Sequence, residues 1–257
     1  MNRLLHKTWI KNDSTTWKKR LNEINRKLLD NGDRNQMMFY MDLSKLKLFQ
    51  GISRASILAL EKLPIVRRHY KAGEVVAAFG DELRSIYVII SGCLKTSEFT
   101  INGGEIVSSY YNAYDAFPFY LVYSEVHYLP YTITCHEDAE VLLLPSRNLQ
   151  CIIKEDASFM ENVLIFVSKY CNYNKKVIRT TTYPKVAQRL AFWFLSSTGT
   201  DGIFRMPGTQ EVFADILQTN RSTLSLELNK LKKEGLIKVS RRYVTLLDRG
   251  GLEKLIS

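Results

Sequence analysis

Short apolar runs separated by turn residues characterise the middle of the chain, between about residues 65 and 145. SIYVII (85–90) precedes Ser91-Gly92, and KTSEFTI (95–101) precedes Asn102-Gly103, a dipeptide typical of hairpin turns. YTITC (131–135) and EVLLLP (140–145) continue the pattern. Strands this short and this closely spaced leave no room for helical crossovers, so the pattern predicts an antiparallel β-roll or sandwich.

The apolar spacing becomes helical after Asp156 and stays so up to Tyr183-Pro184. Apolar residues recur there at intervals of three and four over about three heptads, which places them on one seam. A helix this long with such a seam needs a partner, either the preceding β-region or a second copy of the chain. The residues predicted for a dimer interface are Met160, Val163, Leu164, Val167, Cys171, Asn174 and Ile178.

A second helical unit begins after Pro184. Within it, residues 210–217 have the pattern of a short helix and residues 218–220 that of a turn. Asn220 is a suitable N-cap for a following helix. In that helix Leu224, Leu228 and Leu231 recur at intervals of four and three, which predicts a buried stripe.

The opposite face of this last helix is short, polar and cationic, as a helix that enters the major groove of DNA requires. Glu234-Gly235 ends the helix, and LIKVSRRYVTLLD (236–248) predicts a hairpin wing with arginines at its turn. The alternative is a small helical core with a solvated basic face. The predicted DNA contacts are Gln210, Arg221, Ser222, Ser225, Asn229, Lys233, Arg241 and Arg242.

Charge is distributed unevenly along the 257 residues. Lys and Arg number 36 against 26 Asp and Glu, which gives a formal net charge of +10. Residues 1–50 carry +6 and residues 184–257 carry +5, whereas residues 51–153 carry −3. This distribution indicates a localised footprint for a polyanion such as nucleic acid. No apolar run approaches the roughly 18 residues that cross a bilayer, so we expect neither membrane insertion nor secretion.

The excess of positive charge near the N-terminus coincides with a separate helical pattern. Trp17, Leu21, Ile24 and Leu28 share one stripe, with basic residues largely outside it. Residues 1–40 are therefore predicted to be a basic helical extension. We expect it to pack on its own protein or on a partner subunit, with a membrane surface as the alternative.

The order of these parts resembles the CRP/FNR superfamily of bacterial transcription regulators. The resemblance implies an α+β protein with a jelly-roll-like, cyclic-nucleotide-binding-like β-roll (41–153), a dimerisation helix (154–183) and a winged helix-turn-helix (184–257). It also implies a homodimer on a two-fold symmetric operator, and RNA polymerase as a partner of an activator. The segments that carry the resemblance are LFQGIS (48–53), YKAGEVV (70–76), FGDELRSIYVIISG (79–92), EDAEVLLLP (137–145), RLAFWFL (189–195), TQEVFADIL (209–217), NRSTLSLELNKLKKEGLI (220–237) and VTLLDR (244–249).

One cassette departs from the nucleotide-binding members of the superfamily. Those members carry F-G-E, followed after a gap by P-R-[ST]-A, where Glu binds the ribose and Arg binds the cyclic phosphate. Here the matching residues are Phe117-Pro118-Phe119 and Pro130-Tyr131-Thr132. Because both charged contacts are missing, the sequence predicts no binding of cyclic AMP. The roll is then either a pocket for an apolar or aromatic effector, or a filled core. The residues considered for this pocket are Tyr110, Phe117, Phe119 and Tyr131.

Other cofactors and activities find little support in the sequence. Residues 1–92 contain no cysteine, which excludes the N-terminal iron–sulfur ligands of the oxygen-sensing branch. His69, His127 and His136 are too scattered to indicate haem or another metal, and a cupin-like enzyme would need an H-x-H pair. No C-x-x-C pair occurs among the cysteines, which are Cys93, Cys135, Cys151 and Cys171. Reduced thiols of this kind suit a cytoplasmic protein. Thiol sensing stays an alternative. We therefore expect a dimeric, DNA-binding regulator without a cofactor, and not an enzyme.

Overall fold

The computed structural model describes residues 43, 46–99 and 101–257, so the predicted helical extension over residues 1–40 lies outside the described residues. The described chain forms an antiparallel β-roll, a long helix and a C-terminal unit of helices with a small sheet. The predicted α+β class is thereby confirmed.

Six antiparallel strands form the roll. Their order is β1-β6-β3-β4, with β2 paired to β6 and β5 paired to β3. The strands are Val66–Tyr70 (β1), Val75–Ala77 (β2), Ser85–Phe99 (β3), Glu105–Asn112 (β4), Ala116–Phe117 (β5) and Thr132–Pro145 (β6).

Two pairs of predicted short strands are single long strands in the structure. SIYVII lies in β3 together with residues 95–99 of KTSEFTI, and YTITC and EVLLLP both contribute to β6. The turn predicted at Ser91-Gly92 is wrong, because the chain there passes through a shift of register against β6. Gly92 has φ +81°, and a Cβ on it would lie 2.1 Å from the carbonyl oxygen of Asp138. The irregularity therefore bends the two strands together without ending either of them.

Helices cover one side of the roll and build the C-terminal unit. A 3-10 turn, Lys47–Phe49, precedes them. The helices are Arg54–Glu61 (α1), Phe119–Val122 (α2), Ser146–Lys154 (α3), Ala157–Thr181 (α4), Val186–Ser197 (α5), Gln210–Ile216 (α6), Arg221–Lys233 (α7) and Arg249–Ile256 (α8). A three-stranded sheet, ordered β7-β9-β8, completes the unit with Ile203–Arg205 (β7), Ile237–Ser240 (β8) and Tyr243–Leu246 (β9). Within the described residues, no helix combines the length and apolar character that spanning a membrane requires.

The long helix α4 joins two hydrophobic cores. Near its start, Phe159 and Val163 are buried against the roll and its covering helices. Near its end, the Tyr173 ring meets the Trp193 ring of α5 edge-on, with centroids 6.2 Å apart, inside the core of the C-terminal unit. Lys176 Nζ lies 4.2 Å from the centroid of the same Trp193 ring, and burial lowers the pKa of this lysine to about 8.

This packing places some residues of the predicted dimer seam in the chain's own core and leaves others exposed. Val163 is 2% exposed and lies in the chain's own core, and Met160 and Val167 pack against that core. Val163 was thus assigned to the wrong surface, because its side of α4 faces the roll. Leu164, Cys171 and Ile178 are exposed and stand seven residues apart on the helix. These three residues form the exposed row of α4.

The first turn of α4 is fixed by the carboxylate of Asp156, which is 5% exposed. Its Oδ2 accepts hydrogen bonds of 2.6 Å from the backbone N–H of Ser53 and from the hydroxyl of Ser56, and Oδ1 accepts one of 3.1 Å from the N–H of Phe159. Burial alone would raise the pKa of the Asp156 carboxyl, but these hydrogen bonds outweigh it and lower the pKa below its ordinary value of 3.8. One side chain thus joins the starts of α1 and α4.

Replacing Asp156 by Asn should destabilise the protein by about 3 kcal/mol, because the new amide presents a donor where the carboxylate accepts two hydrogen bonds. The folded-state pKa is depressed, so the contribution of Asp156 is complete above the ordinary pKa and is lost as the pH falls through the folded-state value. Urea denaturation from pH 7 downward should show the two proteins converging in stability. Glu155→Gln, at an exposed neighbouring carboxylate, is the control. A gap that does not depend on pH would contradict this role.

Candidate nucleic-acid interface

Helices α6 and α7 form a helix-turn-helix whose second helix is capped and anchored as its spacing predicts. The Asn220 Oδ1 accepts a hydrogen bond of 2.8 Å from the N–H of Thr223 at the start of α7. Leu224, Leu228 and Leu231 are buried, and they pack with α5, α6 and the small sheet. This anchoring turns the other face of α7 toward solvent.

The outward face of α7 carries most of the predicted DNA contacts. Arg221, Asn229 and Lys233 are exposed. Ser222 is also exposed, but its hydroxyl donates to Asn220 Oδ1 at 2.6 Å and so supports the cap. Ser225 is half-buried.

Leu226 adds an apolar group to this face, since 70% of it is exposed. An exposed leucine on a helix can contact the methyl group of thymine. Helical spacing places Leu226 opposite the buried leucine stripe, but an apolar residue at this position does not by itself indicate a DNA contact. Gln210, the remaining predicted contact from the helices, opens α6 and is half-buried.

The turn between α6 and α7 is held from outside by Arg189 of α5. Its Nη1 donates to the carbonyl oxygens of Leu217 at 2.9 Å and Gln218 at 3.0 Å, and its Nε donates to that of Tyr183 at 2.8 Å. Gln218 has φ +49°, a conformation that non-glycine residues rarely adopt. The guanidinium therefore ties the end of the long helix to the turn that precedes α7. Sequence analysis missed this role, because one arginine at a helix start carries no signal of a distant carbonyl partner.

The wing is a tight hairpin whose turn consists of two arginines. Ser240 of β8 pairs with Tyr243 of β9, so Arg241 and Arg242 form the connection. Both are exposed, and Arg241 has φ +52°. Asn or Gly would satisfy this turn more readily, so the arginines are not explained by turn formation.

Cations cluster around α7 and the wing. Lys230, Lys232 and Lys233 occupy the last turn of α7, and all three are exposed. Within the part of the chain that the structure describes, no side chain of α7 or of the wing turn joins an ion pair. The positive charge of this surface is therefore available to a polyanion.

The residues predicted for an effector pocket do not converge. Phe117 and Tyr131 lie together in the aromatic core of the roll, where the ring of Tyr111 stacks on Phe117 with centroids 3.7 Å apart. Phe119 instead packs against Phe166 of α4, at 5.7 Å between centroids. Tyr110 points away from both groups, and its hydroxyl donates to the carboxylate of Asp215 in α6. Tyr110 lies outside the aromatic core because successive residues of a strand point to opposite sides. Phe119 lies outside it because α2 begins at this residue.

Uncharged groups occupy the positions of the nucleotide-binding cassette. Tyr131 is 3% exposed and Phe119 is 1% exposed. Burial, together with the neighbouring phenols of Tyr111 and Tyr120, raises the pKa of Tyr131 well above its ordinary range. A neutral phenol therefore stands where the resemblance implies a guanidinium.

The cysteines and other metal-binding side chains are dispersed. Cys93 and Cys135 are buried; burial raises the pKa of Cys93 to about 12 and also raises that of Cys135, which disfavours the reactive thiolate. Cys151 and Cys171 are exposed. Among the described residues, no three His, Cys, Asp or Glu side chains are grouped so that they could hold a metal ion.

Two family models match successive parts of the chain. The cyclic nucleotide-binding domain matches residues 67–156, and the Crp-like helix-turn-helix domain matches residues 188–255. Among curated proteins, the fumarate and nitrate reduction regulatory protein of Vibrio cholerae is 22% identical over 211 residues, which cover 79% of this chain and 84% of the relative.

Solved structures share the fold at low sequence identity. A protein from Eubacterium rectale described as a transcriptional regulator of the crp/fnr family is 21% identical, with a TM-score of 0.52 over 81% of this chain and 97% of that one. A CooA mutant from Carboxydothermus hydrogenoformans is 20% identical, with a TM-score of 0.59 over 75% of this chain and 88% of that one. The succession of β-roll, long helix and helix-turn-helix is thus a known architecture.

Replacing Arg189 by Ala should loosen the helix-turn-helix, because three carbonyl oxygens lose a charged donor. Amide hydrogen exchange across residues 210–233 should become about tenfold or more faster, as expected for a local loss of more than 1.4 kcal/mol. Arg205→Ala, at an exposed arginine of β7, is the matched control. Unchanged exchange in the Arg189 variant would contradict the positioning role.

Proposed function

This chain belongs to the CRP/FNR superfamily of transcription regulators, and we propose that it acts as a homodimer that reads a two-fold symmetric DNA operator with α7. Its relatives and fold are those of regulators and not of enzymes. The observation that carries the proposal is the exposed, cationic face of α7 beside an arginine-tipped wing. A regulator of bacterial genes works in the cytoplasm, and RNA polymerase is its further partner if it activates transcription.

Each group of the surface has a distinct role in this proposal. Arg221 at the first turn of α7 reads a guanine edge, Asn229 pairs with adenine, and Leu226 contacts a thymine methyl. Ser225 and Lys233 complete the contacts in the groove, and Gln210 and Ser222 support them from the two helix starts. Arg241 and Arg242 bind phosphates next to the groove, which fixes orientation without reading sequence.

Dimerisation through α4 rests on its exposed row. Leu164 is 60% exposed and Ile178 is 65% exposed, with Cys171 between them at the same interval. A row with this heptad spacing fits against the same row of a second copy in a parallel pair. Asn174 is half-buried beside this row, and Met160 and Val167 are shared between the chain's own core and the proposed interface.

The roll does not fit cyclic AMP. Binding would need a cation for the phosphate and an acceptor for the ribose, and the buried Tyr131 and Phe119 supply neither. The stacked rings of Tyr111 and Phe117 support a roll filled by its own side chains. We therefore propose regulation without a nucleotide effector. A small aromatic effector is the second candidate, favoured by the concentration of aromatic side chains in this core.

The proposed roles of helix and wing are tested by two variants measured together. Arg221→Ala should weaken binding to an operator selected from random DNA by about 1–3 kcal/mol and leave binding to unselected DNA nearly unchanged. Arg241→Gly should weaken binding to all sequences alike and lower the slope of log affinity against log salt concentration by about one. The same change should stabilise the fold by about 1 kcal/mol, because glycine adopts the left-handed conformation of this residue without strain.

Fluorescence anisotropy at several salt concentrations and urea denaturation measure both effects. Arg54→Ala, at an exposed arginine of α1, controls for the loss of one charge. Equal losses on operator and unselected DNA for Arg221→Ala would remove its base-reading role. Failure of the unaltered protein to select any DNA sequence would overturn the proposed function.

Dimerisation is tested at the exposed row. Ile178→Asp should shift the protein from dimer to monomer in sedimentation, because it places a charge in the pairing face of each helix. Leu58→Asp, at a leucine of α1 that is 44% exposed, is the matched control and should stay dimeric. Mild oxidation should also link two chains by a disulfide between their Cys171 residues. The Cys171→Ser variant should form no such link. A dimer that survives both tests would place the interface elsewhere.

A further inference from the structure

The roll contacts the helix-turn-helix directly, as well as through α4. Strand β4 packs against α6, and there the hydroxyl of Tyr110 donates a hydrogen bond to the Asp215 carboxylate. The ring of His136, on β6, meets the Tyr110 ring edge-on at 5.0 Å between centroids and supports it from the roll side. This cross-domain contact joins residues 105 positions apart in the sequence.

Both partners are chemically suited to a stable contact. Burial, followed by the hydrogen bond and charge of Asp215 and the charge of Glu211, raises the pKa of Tyr110 above its ordinary range, so the phenol stays a donor. A carboxylate acceptor makes the hydrogen bond charge-assisted, which is the stronger kind. Both groups are half-buried, so water competes for them only in part.

Strand β4 also contacts the aromatic core of the roll. Successive residues of a strand point to opposite sides, and Tyr111, next to Tyr110, is stacked on Phe117 inside the roll. Among the strands of the described residues, β4 is an edge strand that pairs with β3 alone. Adjacent residues of one strand thus connect the aromatic core of the roll to α6.

The contact does not cover the recognition surface. With the hydrogen bond in place, Arg221, Asn229 and Lys233 remain exposed, as do both arginines of the wing turn. Asp215 lies in the last turn of α6, two residues before Leu217, whose carbonyl oxygen accepts from Arg189 together with that of Gln218. Tyr110 and Arg189 thus hold the end of α6 from two sides, and α7 follows from that point.

We propose that Tyr110 and Asp215 are positioning residues for DNA binding, which fix the helix-turn-helix on the roll so that the two recognition helices of a dimer match the spacing of operator half-sites. This inference rests on the proposed function. It adds a second connection between roll and DNA-binding unit, through β4, beside the one through α4. A dimer that lacks this contact spends part of its time with α7 misplaced, and its apparent affinity falls in proportion to the competent fraction.

The test compares Tyr110→Phe, Asp215→Ala and the double variant on operators selected by the unaltered protein. Half-site spacing is varied by one base pair in each direction. Each single variant should bind the preferred spacing about three- to tenfold more weakly, while affinity for the altered spacings and the salt slope stay unchanged. The double variant should bind no more weakly than the singles, because all three lack the same hydrogen bond.

Two control variants separate the loss of the Tyr110–Asp215 contact from the loss of a tyrosine hydroxyl and from the loss of a carboxylate charge. Tyr128→Phe removes an exposed hydroxyl elsewhere on the roll, and Glu211→Ala removes an α6 carboxylate that does not accept from Tyr110. Both should keep the spacing preference. Single variants that retain the spacing preference, or that lose affinity at all spacings equally, would overturn the proposal. Additive losses in the double variant would do the same. If the unaltered protein selects no operator, the proposed function itself has failed.

Discussion

Three hydrogen bonds to the carboxylate of Asp156 fix the first turn of α4 against the start of α1, at the point where the long helix leaves the roll. The direction of a helix is set by its first turn, and α4 runs on for 25 residues. A small change of angle at Asp156 would therefore become a large displacement at Thr181. The exposed row, the packing of Trp193 and the position of α7 all depend on this one buried group.

Local patterns were sufficient to predict the parts of the protein whose determinants lie close together in sequence. The leucine stripe of α7 and the Asn220 cap need only a few neighbouring residues, and both were predicted from spacing. The full lengths of strands β3 and β6 were not predicted, because Ser91-Gly92 has the local signature of a turn. The strand continues because Ser91 and Cys93 both pair with β6, while Gly92 between them lies close to the backbone of Asp138. The roles of Arg189 and Tyr110 were not predicted for the same reason, since Arg189 reaches Leu217 28 residues away and Tyr110 reaches Asp215 105 residues away.

The roll carries uncharged side chains where the nucleotide-binding members of the superfamily carry charged ones. Phe119 and Tyr131 stand at the two cassette positions where the resemblance implies Glu and Arg, and they are buried in separate parts of the core. Removing two buried charges also removes the cost of desolvating them when no ligand is present. Uncharged side chains at these positions need no ligand as a partner, whereas an unpaired buried arginine would.

The sharing of α4 between two hydrophobic cores has a consequence for modularity. Tyr173 and Val177 belong to the core of the C-terminal unit, although they precede the boundary at Pro184 that the sequence suggests. The unit that folds is thus larger than the unit that reads DNA. Recombination between chains of this architecture would have to carry the last turns of α4 along with the helix-turn-helix. A junction placed at Pro184 would leave Trp193 beside a helix that evolved for a different partner.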